Sequence, residues 1–141
     1  MNRKLSIQMT ASLKDLEYIR SFIGSKSAEF SLDEENTYNL QLSVTELVTN
    51  SIVHGYKGEA GNIEIDVDQE VDKLIVRIRD EAPPFDPTQV PPPDLSLPLE
   101  ERRFGGMGIF LIKQVVDEIR YKRLPQGGNE VILSIENKQD R

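Results

Sequence analysis

The chain has 141 residues, 29% of them charged and 38% apolar, with no cysteine and a formal net charge of −7. That length suits one domain able to bury roughly two-thirds of its unfolded surface, and the apolar share excludes wholesale disorder. Lack of cysteine rules out disulfides and thiolate metal sites, and the acidic balance argues against direct nucleic-acid binding, which needs clustered Lys and Arg.

The N-terminus carries Arg3 and Lys4 with no apolar run behind them, and no stretch approaches membrane-spanning length. The expectation is a cytoplasmic protein with no membrane association, residues 1–141 forming a single domain. Leu5, Ile7 and Met9 alternate with Lys4, Ser6 and Gln8, which predicts a half-buried strand. From Ser12 to about Phe30, Leu13, Leu16, Ile19, Phe22 and Ile23 recur at helical spacing, with Gly24 weakening the far end. Ser31 and Glu34 have the form of a capping box, and Leu40, Val44, Leu47 and Val48 then supply one apolar stripe. A second helix is predicted from about Asp33 to Val53, with Gly55 suited to a left-handed C-cap. Ile63, Ile65 and Val67, then Leu74, Val76 and Ile78, alternate with polar residues and predict an antiparallel hairpin turning near Asp72.

Pro83, Pro84, Pro87, Pro91, Pro92, Pro93 and Pro98 exclude a regular helix or central strand, so residues 81–104 read as one long loop. A loop of that length serves as a lid, a binding loop or a disordered segment, or is an inert insertion. Phe104-Gly105-Gly106-Met107-Gly108 follows, opening a helix carried by Ile109, Ile112, Val116 and Ile119 as far as about Glu118. Arg120 to Leu124 and Glu130 to Glu136 predict two strands joined by Pro125-Gln126-Gly127-Gly128, with Arg120, Lys122 and Arg123 on a solvated face. This order predicts an α+β fold, a two-layer sandwich of a mostly antiparallel sheet with helices on one face.

Glu46, Asn50 and His54 stand at i, i+4 and i+8, so they share one helix face away from Leu40, Val44 and Leu47. Such a row is either a solvated face or a set of oxygen ligands and a base suited to a magnesium nucleotide. Counting by twos puts Asp80 on the core-facing side of its strand, where a carboxylate needs either a structural partner or a ligand donor such as the exocyclic amine of adenine. Gly105, Gly106 and Gly108 stand where a helix begins, a place for an anion or a plain loop terminus. Neither the Walker lysine pattern nor the dinucleotide fingerprint is present.

Taken in order, Glu46-Leu47-Val48-Thr49-Asn50-Ser51-Ile52-Val53-His54-Gly55-Tyr56, then Asp80, then Gly105-Gly106-Met107-Gly108-Ile109, resemble the N, G1 and G2 boxes of the GHKL ATPases, which have the Bergerat ATP-binding fold. The resemblance extends over nearly the whole chain, and the wording from Glu46 to Tyr56 is most similar to the anti-sigma-factor serine kinases of bacteria. It implies ATP and Mg2+ as cofactors. Asn50 would ligate the metal, Glu46 would orient or deprotonate the attacking hydroxyl, and Asp80 would hydrogen-bond adenine. Ala82, Gly105, Gly106, Met107, Gly108 and Asn129 would complete the nucleotide site beneath a lid at 81–104, with Gly106 and Gly108 along the phosphate path. His54 would approach the phosphates or serve structure, and Arg102 and Arg103 would reach a phosphate, a partner or only solvent.

The family usually has Asp-x-Gly-x-Gly in its first glycine box, whereas Ala82 and Pro84 hold the glycine positions here. Ala82 adds a Cβ and Pro84 removes an N–H. Asn129 stands where a threonine commonly helps hold the aspartate. The function implied is an anti-sigma factor that phosphorylates a STAS-type anti-anti-sigma partner on serine and, in another complex, sequesters a sigma factor. The altered glycine box leaves an alternative, a non-catalytic switch of the same fold working through protein contacts. Domains of this kind often pair, so a homodimer is among the expected assemblies.

Overall fold

The computed structural model describes residues 4–10, 12–89, 96 and 106–137, apart from the side chain of Met107. Alternation does what the sequence demands of it in β1 (Lys4–Met9), β2 (Gly61–Glu70) and β3 (Lys73–Asp80), and two further strands follow, β4 (Glu118–Arg123) and β5 (Asn129–Glu136). They form one antiparallel sheet in the order β1-β2-β3-β5-β4. Ile63, Ile65 and Val67 of β2 and Leu74, Val76 and Ile78 of β3 bury their side chains in the core. There they join Ile19 and Ile23 of α1 (Leu13–Glu29), Leu40, Val44 and Leu47 of α2 (Glu34–Asn50), and Ile109 and Ile112 of α3 (Gly106–Val115). The α+β sandwich expected from the element order is the fold observed. No helix among the described residues is long and apolar enough to cross a membrane.

The outward row of the sheet is charged and ordered by register. Glu64, Arg79 and Glu130 are direct neighbours on β2, β3 and β5, and the Arg79 guanidinium donates to Glu64 and Glu130, each at 2.6 Å. The Glu130 side chain is only 8% exposed, so removing the cation strands a poorly solvated carboxylate. Arg79→Ala should therefore lower unfolding free energy by about 2 kcal/mol in a urea titration, with Glu130→Gln recovering part of that loss.

Three local expectations are corrected. Asp33, not Ser31, caps α2: its side chain accepts from the Asn36 N–H at 3.0 Å, while Ser31 takes a left-handed φ of 59° in the turn before it. Gly55 does not provide a left-handed C-cap. The helix widens into a π turn over Ser51–Gly55, and the chain turns left-handed only at Lys57 and Gly58. Glycine is needed at 55 for close approach, since a Cβ there would lie 2.7 Å from the Ala82 Cβ. Finally, α3 stops at Val115 and β4 starts at Glu118, so Ile119 belongs to a strand despite its helical spacing.

Candidate active site

Asp80 is the last residue of β3, and its inward face, set by the alternation from Leu74, leaves it 9% exposed. Asn129, the first residue of β5, lies directly opposite in the register. The Asp80 Oδ1 accepts the Asn129 Nδ2–H at 2.8 Å and the Ala82 N–H at 3.0 Å. Asn129 also donates to the carbonyls of Ala82 (3.2 Å) and Pro83 (3.0 Å), and its Oδ1 accepts from Tyr121 OH (2.6 Å) and Phe85 N–H (3.2 Å). One amide thus holds the carboxylate and the loop that leaves it.

Neighbours fix the same corner. Tyr56 OH donates to the Asn62 carbonyl and accepts the Glu81 N–H, both at 2.7 Å. Arg123, from the basic cluster read as solvated, donates to the carbonyls of Gly128 at 3.0 Å and Ala82 at 3.4 Å. Gly128 has φ 102°, and a Cβ there would overlap the Asp80 carbonyl oxygen. Asn129→Ala should cost about 3 kcal/mol in thermal or urea unfolding, because it leaves several buried groups without partners. Asn129→Thr should restore less than half of that, since a hydroxyl cannot reach Asp80 and the two loop carbonyls together.

Asn50 closes α2 and faces this corner. It is 5% exposed, and its carboxamide makes no hydrogen bond among the described residues. It lines, with Asp80, Asn129, Leu47, Ile78 and Phe85, a cavity of about 20 Å³. An amide with free donors and acceptors beside a buried carboxylate fits a nucleotide-bound magnesium ion, which draws most of its ligands from phosphate and water.

Glu46, one turn earlier, lines a separate groove of about 270 Å³ between α2 and α3, with Leu42, Gly108, Leu111 and Val115. A Cβ at Gly108 would overlap the Glu46 carboxylate, so glycine lets the α3 backbone lie against it. Burial pushes the Glu46 carboxyl above its ordinary 4.5, with the charge of His54 pulling the other way. The polar row on α2 is therefore no solvated face. Its third member lies in the π turn, where the His54 ring stacks on Phe85, with centroids 5.7 Å apart and 27° between planes.

Asn50, Asp80 and Asn129 converge on one cavity, Ala82 is buried beside Asp80, and Glu46 meets Gly108 in the adjoining groove. Gly106 and Met107 start α3, but the Met107 side chain lies outside the described atoms, as do residues Gly105, Arg102 and Arg103 entirely. Phe85 and Tyr121 were not singled out by sequence. Phe85 sits in a proline-rich stretch with no periodicity, and the role of Tyr121 depends on the β4–β5 register. A larger cavity, about 450 Å³, is lined by Asp80 together with Ser6, Gln8, Asn62, Glu64 and Arg79. Its polar walls are already paired, Arg79 with Glu64 and Asn62 with Glu81, and Asn50, Asn129 and Glu46 do not line it.

Residues 9–135 match the histidine kinase-like ATPase domain family. The chain is 30% identical over 125 residues to the serine-protein kinase RsbW of Listeria monocytogenes, covering 85% of this chain and 80% of that one. It is 25% identical over 121 residues to RsbW of Bacillus cereus, covering 83% and 76%. Among solved structures, the RsbU and RsbW domains of a Mycobacterium tuberculosis protein superpose with a TM-score of 0.62 at 17% identity, over 96% of this chain and 32% of that longer one. The catalytic domain of histidine kinase ThkA gives 0.55 at 16% identity, over 94% of this chain and 96% of that one. The chain belongs to the histidine kinase-like ATPase family and, within it, to the anti-sigma serine-protein kinases.

Proposed function

We propose that this kinase binds ATP with magnesium at the Asn50–Asp80–Asn129 corner and phosphorylates a serine of a STAS-type anti-anti-sigma protein. In its other complex it holds a sigma factor, so that phosphorylation of the partner decides which of the two it binds. The observation that carries this reading is the meeting of Asn50, Asp80 and Asn129 at one cavity, with Glu46 one helical turn away.

Asp80, held by Asn129 and the Ala82 N–H, accepts a hydrogen bond from the exocyclic amine of adenine. Asn50 offers its side-chain oxygen to magnesium, which when bound neutralises charge on the phosphate oxygens. The first N–H groups of α3 at Gly106, Met107 and Gly108 favour the same anion. Glu46 orients the serine hydroxyl of the partner and takes its proton as the oxygen–phosphorus bond forms and the bond from the γ-phosphorus to the bridging oxygen breaks. Most of the rate enhancement then comes from positioning and charge neutralisation.

A second reading, a protein-binding switch without transfer, draws support from Ala82 and Pro84 in the glycine box and from the small volume beside Asp80. Incubating the purified chain with γ-labelled ATP, magnesium and a STAS protein separates the two. Magnesium-dependent label on a partner serine is expected. Nucleotide binding with no label on the partner would leave only the switch.

A further inference from the structure

The cavity that Asp80 faces holds about one water molecule, far too little for a purine ring. Its walls differ in how readily they yield. Leu47, Ile78 and Asn50 belong to α2 and β3 and are buried, and Asn129 is fixed by its bonds to Asp80, Tyr121 and the loop carbonyls. Half-buried Phe85 is held less firmly. Its backbone N–H donates to Asn129 Oδ1 at 3.2 Å, and its ring stacks on His54.

We propose that the Phe85 ring occupies the subsite of the nucleotide base and that its withdrawal sets the rate of nucleotide entry. The inference rests on the reading of Asp80 as the base-binding acid. A base reaching that carboxylate through this cavity enters on the side walled by Phe85 and Pro87 of the loop, because the remaining walls are core helix and sheet. Leaving the subsite breaks the ring stack and one loop hydrogen bond, while the Asp80–Asn129 pair stays intact to receive the base.

The movement has a path onward. Asp86 Oδ1 accepts from the Thr88 N–H at 2.8 Å and the Thr88 hydroxyl at 2.6 Å, which makes Phe85 to Gln89 a tight turn ending in a short 3₁₀ segment. The Thr88 carbonyl accepts from Lys113 Nζ at 3.1 Å, and Lys113 lies on α3, the helix whose Gly108 abuts Glu46.

Stopped-flow mixing of a fluorescent ADP analogue and magnesium with the whole chain tests the proposal. Phe85→Ala should raise the association rate constant about tenfold, because the competent conformation no longer waits on the ring, and Phe85→Leu should fall between the two. Hydrogen exchange at the amides of Phe85, Asp86, Thr88 and Gln89 should quicken when ADP is added to the wild type. Circular dichroism melts confirm that both variants fold. An association rate unchanged in Phe85→Ala, or exchange at those amides unmoved by ADP, overturns the gate even where binding is tight. Binding that survives Asp80→Asn in the Phe85→Ala background sinks the base-site reading instead, and the gate with it. No binding by wild type or variant has the same consequence.

Discussion

Glu46→Gln is expected to slow phosphoryl transfer by about 100- to 10,000-fold, the usual range for loss of a positioned base, while nucleotide affinity changes by less than about twofold. The side chain lines the α2–α3 groove and not the cavity of Asp80, so the substitution touches transfer and spares the base site. The pH dependence follows from the direction of its shift. A base works ionised, and burial moves the Glu46 carboxyl up from 4.5, so the wild-type rate should fall as pH drops through that raised value, and the residual rate of the Gln variant should not. The stability consequence has the opposite sense. A carboxyl raised in the fold favours the native state fully below 4.5 and loses that contribution as pH rises through its folded value. At neutral pH the Gln variant should therefore be as stable as the wild type or more so, its advantage shrinking toward acid. Quench-flow rates with urea titrations between about pH 5 and pH 8 check both statements. A variant that loses stability at neutral pH would make Glu46 a structural carboxylate.

That behaviour at one position reflects how unevenly the site could be read beforehand. Period two was enough to turn Asp80 inward, because Leu74, Val76 and Ile78 all lie on the buried face of β3. Its partner was a harder matter. Asn129 meets Asp80 only because β5 inserts between β3 and β4, a pairing that no single strand encodes; the clue was its place in the family pattern. The π turn at Ser51–Gly55 leaves no trace in hydrophobic spacing, since Ile52 still falls on the apolar stripe, and so the stacking of His54 on Phe85 could not be read from it. Ser31 and Asp33 are both good caps by type. Burial of Leu32 draws the chain through a left-handed Ser31 and leaves Asp33 to start the helix. Prolines excluded regular structure around Phe85, yet they do not prevent a loop from burying one aromatic ring.

Asn50→Ala is expected to reduce magnesium-dependent transfer by about 1,000-fold, corresponding to the several kcal/mol that a correctly held metal contributes to phosphoryl transfer. The fold should survive the change. Although Asn50 is buried, its carboxamide makes no hydrogen bond among the described residues, so truncation strands no partner and should cost no more than about 1 kcal/mol. The two outcomes together separate a ligand from a core filler. A filler lost from the corner beside Leu47 and Ile78 would lower stability and leave the magnesium dependence of the rate unchanged, whereas a ligand lost from the same corner moves that dependence to higher metal concentration. Initial rates over a magnesium titration, paired with urea unfolding, distinguish them. Should the variant keep the wild-type magnesium curve, the metal takes no oxygen from Asn50, and Asp80 with Asn129 would be left to hold the base alone.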